Sequence, residues 1–171
     1  MSEKKTKEKI QISENILMVV VQKDGTKKVY KAENIVTNDG DTYYAQRVCT
    51  ETPTYTFANC VLGTGAVAAA KTDTYDNITP IAGSNKAKST GYPKTNDADT
   101  DNTGAGVDII TWLFSWAAAD FNNAAIREGV ITIASPIAGS KILTKWVWAA
   151  AFAKDADTTL KLFVNHTANG V

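Results

Sequence analysis

The 171 residues carry 18 basic and 18 acidic side chains, so no net field draws the chain to nucleic acid or to a membrane surface. At 44% hydrophobic and 21% charged, the chain is composed like a folded protein long enough to bury a core without metals or disulfides. One histidine and two cysteines exclude a zinc cluster, a disulfide scaffold and a histidine-centred triad.

In chain order, residues 1–14 read as a charged arm ahead of a β-sandwich spanning 15–171. Lys4, Lys5, Lys7 and Lys9 stand against Glu3 and Glu8, a net charge of +2 that can steer the arm onto an acidic surface. No apolar core of a signal peptide follows. The expectation is synthesis in a cytoplasm, with Cys49 and Cys60 starting reduced. Ile16–Val21 is an apolar run, Asp24-Gly25 is a tight-turn signal and Lys27–Lys31 returns, which predicts a β-hairpin. Thr37 or Asn38 can cap a helix entrance with acidic residues in its first turn. Tyr43–Val48 continues it for three turns at most, stopping before Thr52-Pro53.

The alternation over Tyr55–Leu62 predicts a strand ended by Gly63-Thr-Gly65. Residues 66–106 lose all periodicity and read as a long polar loop with room for one short strand pair. Val107–Trp116, Ala125–Ile133, Lys141–Phe152 and Thr158–Asn165 are rich in β-branched and aromatic residues with polar joints. They predict antiparallel strands, and the fold class is mainly β: an antiparallel β-sandwich with one short helix and an extended N-terminal arm.

Four constellations bear on chemistry. Asp97, Asp99, Asp101 and Asp108 place oxygens at positions one, three, five and twelve of a calcium-type loop. Position six is Asn102 rather than glycine, and no helices flank the loop, so a solvated acidic loop is the competing reading. Gly63-Thr-Gly65 is a fragment of a phosphate-cradling loop without the lysine or the third glycine, and a turn explains it better. Cys49, Cys60 and His166 lack any catalytic signature around them. Two buried apolar thiols, or a late disulfide, fits the cysteines, and a structural role fits the histidine. The triplets Asn77-Ile-Thr79 and Asn165-His-Thr167 match a glycosylation pattern that carries no weight without a secretory signal. Trp112 and Trp116, and Trp146 and Trp148, are evenly spaced on their strands, so each pair shares a face and serves the core or a subunit interface. A sugar-stacking face is the third use of such residues.

The order of several phrases resembles small bacteriophage virion structural proteins. Asn34-Ile-Val-Thr-Asn-Asp-Gly40 precedes the helix, and Cys60-Val-Leu-Gly-Thr-Gly65 with Ala69-Ala-Lys-Thr-Asp-Thr74 closes the next strand. Ile126-Arg-Glu-Gly-Val130 and Lys154-Asp-Ala-Asp-Thr-Thr-Leu-Lys-Leu162 follow in the same order, so the likeness spans residues 34–165. The chain departs from it with Asp39 where the family favours alanine, and with a polar insertion at 80–106.

What the resemblance implies is a non-enzymatic virion component. The first expectation is a capsid decoration (cement) protein that binds the major capsid protein and forms a homo-oligomer such as a trimer, with no nucleic-acid or membrane partner and no cofactor. The arm lysines Lys4, Lys5, Lys7 and Lys9, with the hairpin residues Ile16, Val20 and Tyr30, would clamp the shell. A tail fibre or baseplate component touching the host through loop 80–106 is the alternative. A carbohydrate-binding module using the tryptophan face and calcium at 97–108 is the third.

Overall fold

The computed structural model describes the backbone of residues 11–169 and the side chains of residues 16–167. Strands β1 (Gln11–Val21) and β2 (Lys27–Ala32) form the expected hairpin, with Ile16 opposite Ala32 and Val21 opposite Lys27. Gly25 turns the chain at φ +82°, a conformation that costs a residue with a side chain far more, while Asp24 accepts a hydrogen bond from the Thr26 amide. The segment expected to be an arm through residue 14 is already strand from Gln11, which pairs with Asn169. Lys4, Lys5, Lys7 and Lys9 lie outside the described residues.

The chain then crosses layers. β3 (Asn34–Val36) leads into helix α1 (Asn38–Val48), β4 (Asn59–Gly63) and the short β5 (Lys86–Ala87). After these come β6 (Ile109–Trp116), β7 (Asn123–Thr132), β8 (Ile142–Lys154) and β9 (Thr159–Asn169). One sheet has the order β2-β1-β9-β6 and the other β3-β8-β7-β4-β5, and every pairing is antiparallel. Thr37 is the residue that caps α1: its Oγ1 accepts from the Gly40 amide at 3.1 Å. A Cβ on Gly40 would fall 2.2 Å from the Leu143 carbonyl oxygen, so glycine there lets the helix lie directly on β8.

Between the sheets, Ile16, Met18 and Val20 of β1 meet Trp112, Phe114 and Trp116 of β6 and Leu160, Leu162 and Val164 of β9. Trp146, Trp148 and Phe152 come from β8, and all four tryptophans are at most 1% exposed. They are core residues, not an interface or a sugar-stacking face. Ile16 and Val20 are likewise buried and cannot clamp a neighbour, because alternate residues of β1 face the core. Tyr30 is half-buried and stacks on Phe152 with ring centroids 4.5 Å apart.

The strand expected at Tyr55–Leu62 begins only at Asn59. Residues ahead of it are tied back to α1 instead: Gln46 Oε1 accepts from the Thr54 amide, and Gln46 Nε2 donates to Thr54 Oγ1. Val107 and Asp108 precede β6 as turn residues, and β8 carries Ala149–Ala151 as strand.

The polar segment 66–106 has a definite task. The Ile16–Val21 part of β1 is an unbroken apolar run because both of its faces are covered: Leu17 and Val19 join Leu113 and Phe163 on the outward face, beneath Tyr92. The opposite sheet has a matching outward cluster of Val61, Val130 and Ile142 under Ile78 and Tyr75. One segment therefore covers the second sheet with residues 75–78, passes the sandwich edge at β5 and covers the first sheet from Tyr92 onward.

A buried ion group fastens the first of these covers. Lys145, fully buried on β8, donates to the Asn77 carbonyl at 2.6 Å and stands 3.3 Å from Asp73 and 3.8 Å from Glu128. Glu128 Oε1 in turn accepts from the amides of Gly65 and Thr79 at 2.8 and 2.7 Å. Removing one partner of such a group strands the other charges out of water. Lys145→Met is expected to lower the unfolding free energy by about 3–5 kcal/mol in urea titrations, and adding Glu128→Gln to it should recover part of that loss.

Candidate functional site

The carboxylates of the expected calcium loop are placed by lysines. Lys161 on β9 donates to Asp99 at 2.7 Å and to Asp101 at 3.1 Å, and Lys27 on β2 donates to Asp101 at 2.7 Å. Asp97 is buried and turned the other way, accepting from Tyr92 Oη and Asn102 Nδ2, with the Lys94 ammonium at 3.0 Å. Burial works against its charge, but the hydrogen bonds from Tyr92, Lys94 and Asn102 outweigh it and hold the carboxyl below its usual range. Lys27 and then Lys161 do the same for Asp101.

Asp108 is exposed beside Gly106. Among the described residues no group of three histidine, cysteine or acidic side chains is placed to hold a metal ion. The four aspartates thus do not converge on a cation, and the loop they form is a strap pinned to β2 and β9. Asn102, the residue that departs from the calcium pattern, points inward to Asn165 and Thr111 and anchors the strap to the sheet.

Gly63 and Gly65 carry no phosphate cradle. The Glu128 carboxylate lies 2.3 Å from where a Gly65 Cβ would sit and takes that amide itself. Cys60 is buried and its thiol is pushed well up by burial, whereas Cys49 is exposed at the C-cap of α1; both thiols are free. The expectation of two buried thiols holds only for Cys60, since Cys49 lies on the solvent side of the helix end.

His166 belongs to a buried chain of polar groups at the α1 end of the sandwich. Asn34 Nδ2 donates to Thr144 Oγ1 at 2.7 Å and reaches His166 Nε2 at 3.0 Å. With Nε2 accepting, the neutral ring carries its proton on Nδ1 and donates it to Tyr44 Oη at 2.5 Å. Tyr44 Oη also accepts from Trp112 Nε1 at 3.1 Å. Burial pushes the His166 pKa down to about 3.

Above Trp112 an open cleft of about 390 Å³ lies between α1, the 53–57 segment and the 88–93 loop. Its aromatic surface comes from Tyr43, Tyr55, Phe57 and Tyr92 as well as Trp112. Tyr43 is in edge contact with Phe57 at 5.3 Å and tilted against Trp112 at 6.5 Å, and Tyr55 lies 6.2 Å from Phe57. Arg47 stands one helical turn beyond Tyr43 on the same face, and Lys88 lines the opposite side, donating to the Tyr92 carbonyl. Burial raises the phenols of Tyr43 and Tyr92, which therefore stay protonated donors at neutral pH.

Apart from Trp112, read from sequence as a core or interface residue, none of these cleft residues stands out in the sequence. The signal that could have found them is the cluster Tyr43, Tyr44, Tyr55 and Phe57 around the predicted helix end. Comparison with protein-family models, curated proteins and solved structures gave no match.

The His166 pKa has a consequence for stability. Its folded pKa lies below that of an unfolded histidine, so between about pH 6.5 and 3 the unfolded chain binds a proton that the native one refuses. Stability should fall with pH across that window by about 1.4 kcal/mol per unit. Denaturant unfolding at pH 6.0, 5.5 and 5.0 is expected to show this slope, and His166→Asn to flatten it.

Proposed function

We propose that the chain is a bacteriophage virion structural protein that works by adhesion, decorating the head shell through contact with the major capsid protein. The reading rests on the phrases that resemble such proteins, and one observation supports it: four of them meet in space. Gly65 and Asp73, from the phrases that close β4, lie against Glu128 and Lys145, while Gly129 of the β7 phrase sits under the Trp146 ring, which a Cβ would approach to 2.4 Å. Gly40 of the first phrase rests on Leu143, two residues from Lys145. The shared pattern is thus a set of joints that keeps a two-layer body rigid, as a passive building block requires.

Titratable groups of the expected sites have structural duties: His166 is buried and neutral, and Asp99 and Asp101 hold a strap. Lys145 and Glu128, outside those sites, hold a cover. With Ile16 and Val20 committed to the core and Lys27 tied to Asp101, the attachment falls to the lysine-bearing N-terminal segment and the exposed Lys28 and Lys31 of β2. The host cytoplasm would be the place of synthesis and the virion the destination, with copies of the chain meeting as a homo-oligomer.

A tail component that contacts the host is the second reading, and the aromatic cleft favours it, since part of its wall is the 88–93 loop. The remainder of loop 80–106 is strapped down rather than projecting as a tip.

Deleting residues 2–9 is expected to abolish co-sedimentation with purified head shells while leaving the melting temperature unchanged. Retained binding to shells by that deletion would overturn the decoration reading.

A further inference from the structure

The cleft above Trp112 joins two kinds of chemistry in a space of about 390 Å³, within the size range of small-ligand sites. Its floor and walls are aromatic rings, with Tyr43, Tyr55 and Tyr92 only part-buried, so part of each ring is open to a visitor, while the Tyr92 hydroxyl is already donated to Asp97. The charged residues that line it, Arg47 and Lys88, are both cations.

Arg47 is exposed in the last turn of α1, and no hydrogen bond or ion pair of its side chain is seen among the described residues. A guanidinium in that position offers a two-pronged donor for a carboxylate. Flat phenol rings favour the C–H face of a pyranose, and their hydroxyls answer its hydroxyls. An acidic peptide would use the cations but leave the ring faces without a matching flat partner.

We infer that the cleft binds an acidic saccharide, a pyranose unit stacked on the tyrosine wall with its carboxylate on Arg47. The binding goes beyond the head-shell reading and does not depend on it. Tyr55 and Tyr43 supply the stacking surface, Trp112 sets the depth of the cleft, and Lys88 adds positive potential on the far side.

Calorimetric titration of the full chain with a galacturonate hexamer, a neutral galactose hexamer and hexaglutamate tests this. One saturable site is expected for the acidic sugar, about tenfold tighter than for the neutral sugar, with hexaglutamate no better than the neutral one. Arg47→Met should weaken the acidic sugar about tenfold and leave the neutral sugar and the melting temperature unchanged. Tyr55→Ala should weaken both sugars; if that variant loses its fold, the exposed Arg47 substitution still decides. The 2–9 deletion should keep full sugar affinity, which separates this site from shell binding. No saturation by about 10 mM of the acidic sugar would overturn the inference, as would equal affinity for hexaglutamate or indifference to Arg47→Met.

Discussion

Burying the Lys145 ammonium on the outward face of β8 is tolerable only because Asp73, Glu128 and the Asn77 carbonyl arrive around it. Each of those groups comes from a different part of the chain: the segment after β4, strand β7 and the turn at Tyr75–Asn77. Glu128 spends its other oxygen on the amides of Gly65 and Thr79, so the end of β4 and the start of the long loop are fixed by the same carboxylate. Loss of this group would free the cover over Val61, Val130 and Ile142 and expose an apolar sheet face to water.

The other sheet repeats the solution with different chemistry. There Asn102 and Asn165 exchange hydrogen bonds through their amides, Thr111 donates to Asn165 and Asp97 accepts from Asn102. Lys161 meets two carboxylates at the rim, where it is a third exposed. Burial alone would lower the Lys161 pKa, but its bonds to Asp99 and Asp101 raise it. A single stretch of chain thus covers an apolar cluster on the outward face of each sheet.

At the end next to α1 the core and the aromatic cleft share residues. Trp112 is a core residue, a hydrogen-bond donor to Tyr44 and the floor of the aromatic cleft at once. The His166–Tyr44 pair below it keeps that floor in place, since a ring with both nitrogens engaged has one orientation. A ligand in the cleft would therefore meet a preorganised surface rather than one it must order.

The hairpin, a helix capped at Thr37 or Asn38, the four C-terminal strands and the β-sandwich class were legible because period-two patterning, Asp-Gly turns and capping side chains act over a few residues. The same local signals misread Tyr55–Ala58, whose alternation reflects rings facing α1 rather than a strand, and they gave 66–106 as a polar loop with room for one short strand pair, without the covers it forms. Whether an aspartate meets a calcium ion or a lysine depends on Lys27 and Lys161, 60 or more positions from the aspartates they bind, and no local pattern encodes that. Sequence by itself determined the hairpin and the four long C-terminal strands and that they pack as a β-sandwich, because hydrophobic periodicity is a property of neighbours. Only the tertiary structure decided which charges are spent on fastening and which rings line a cleft, because burial and pairing are set by residues that the chain brings together from afar.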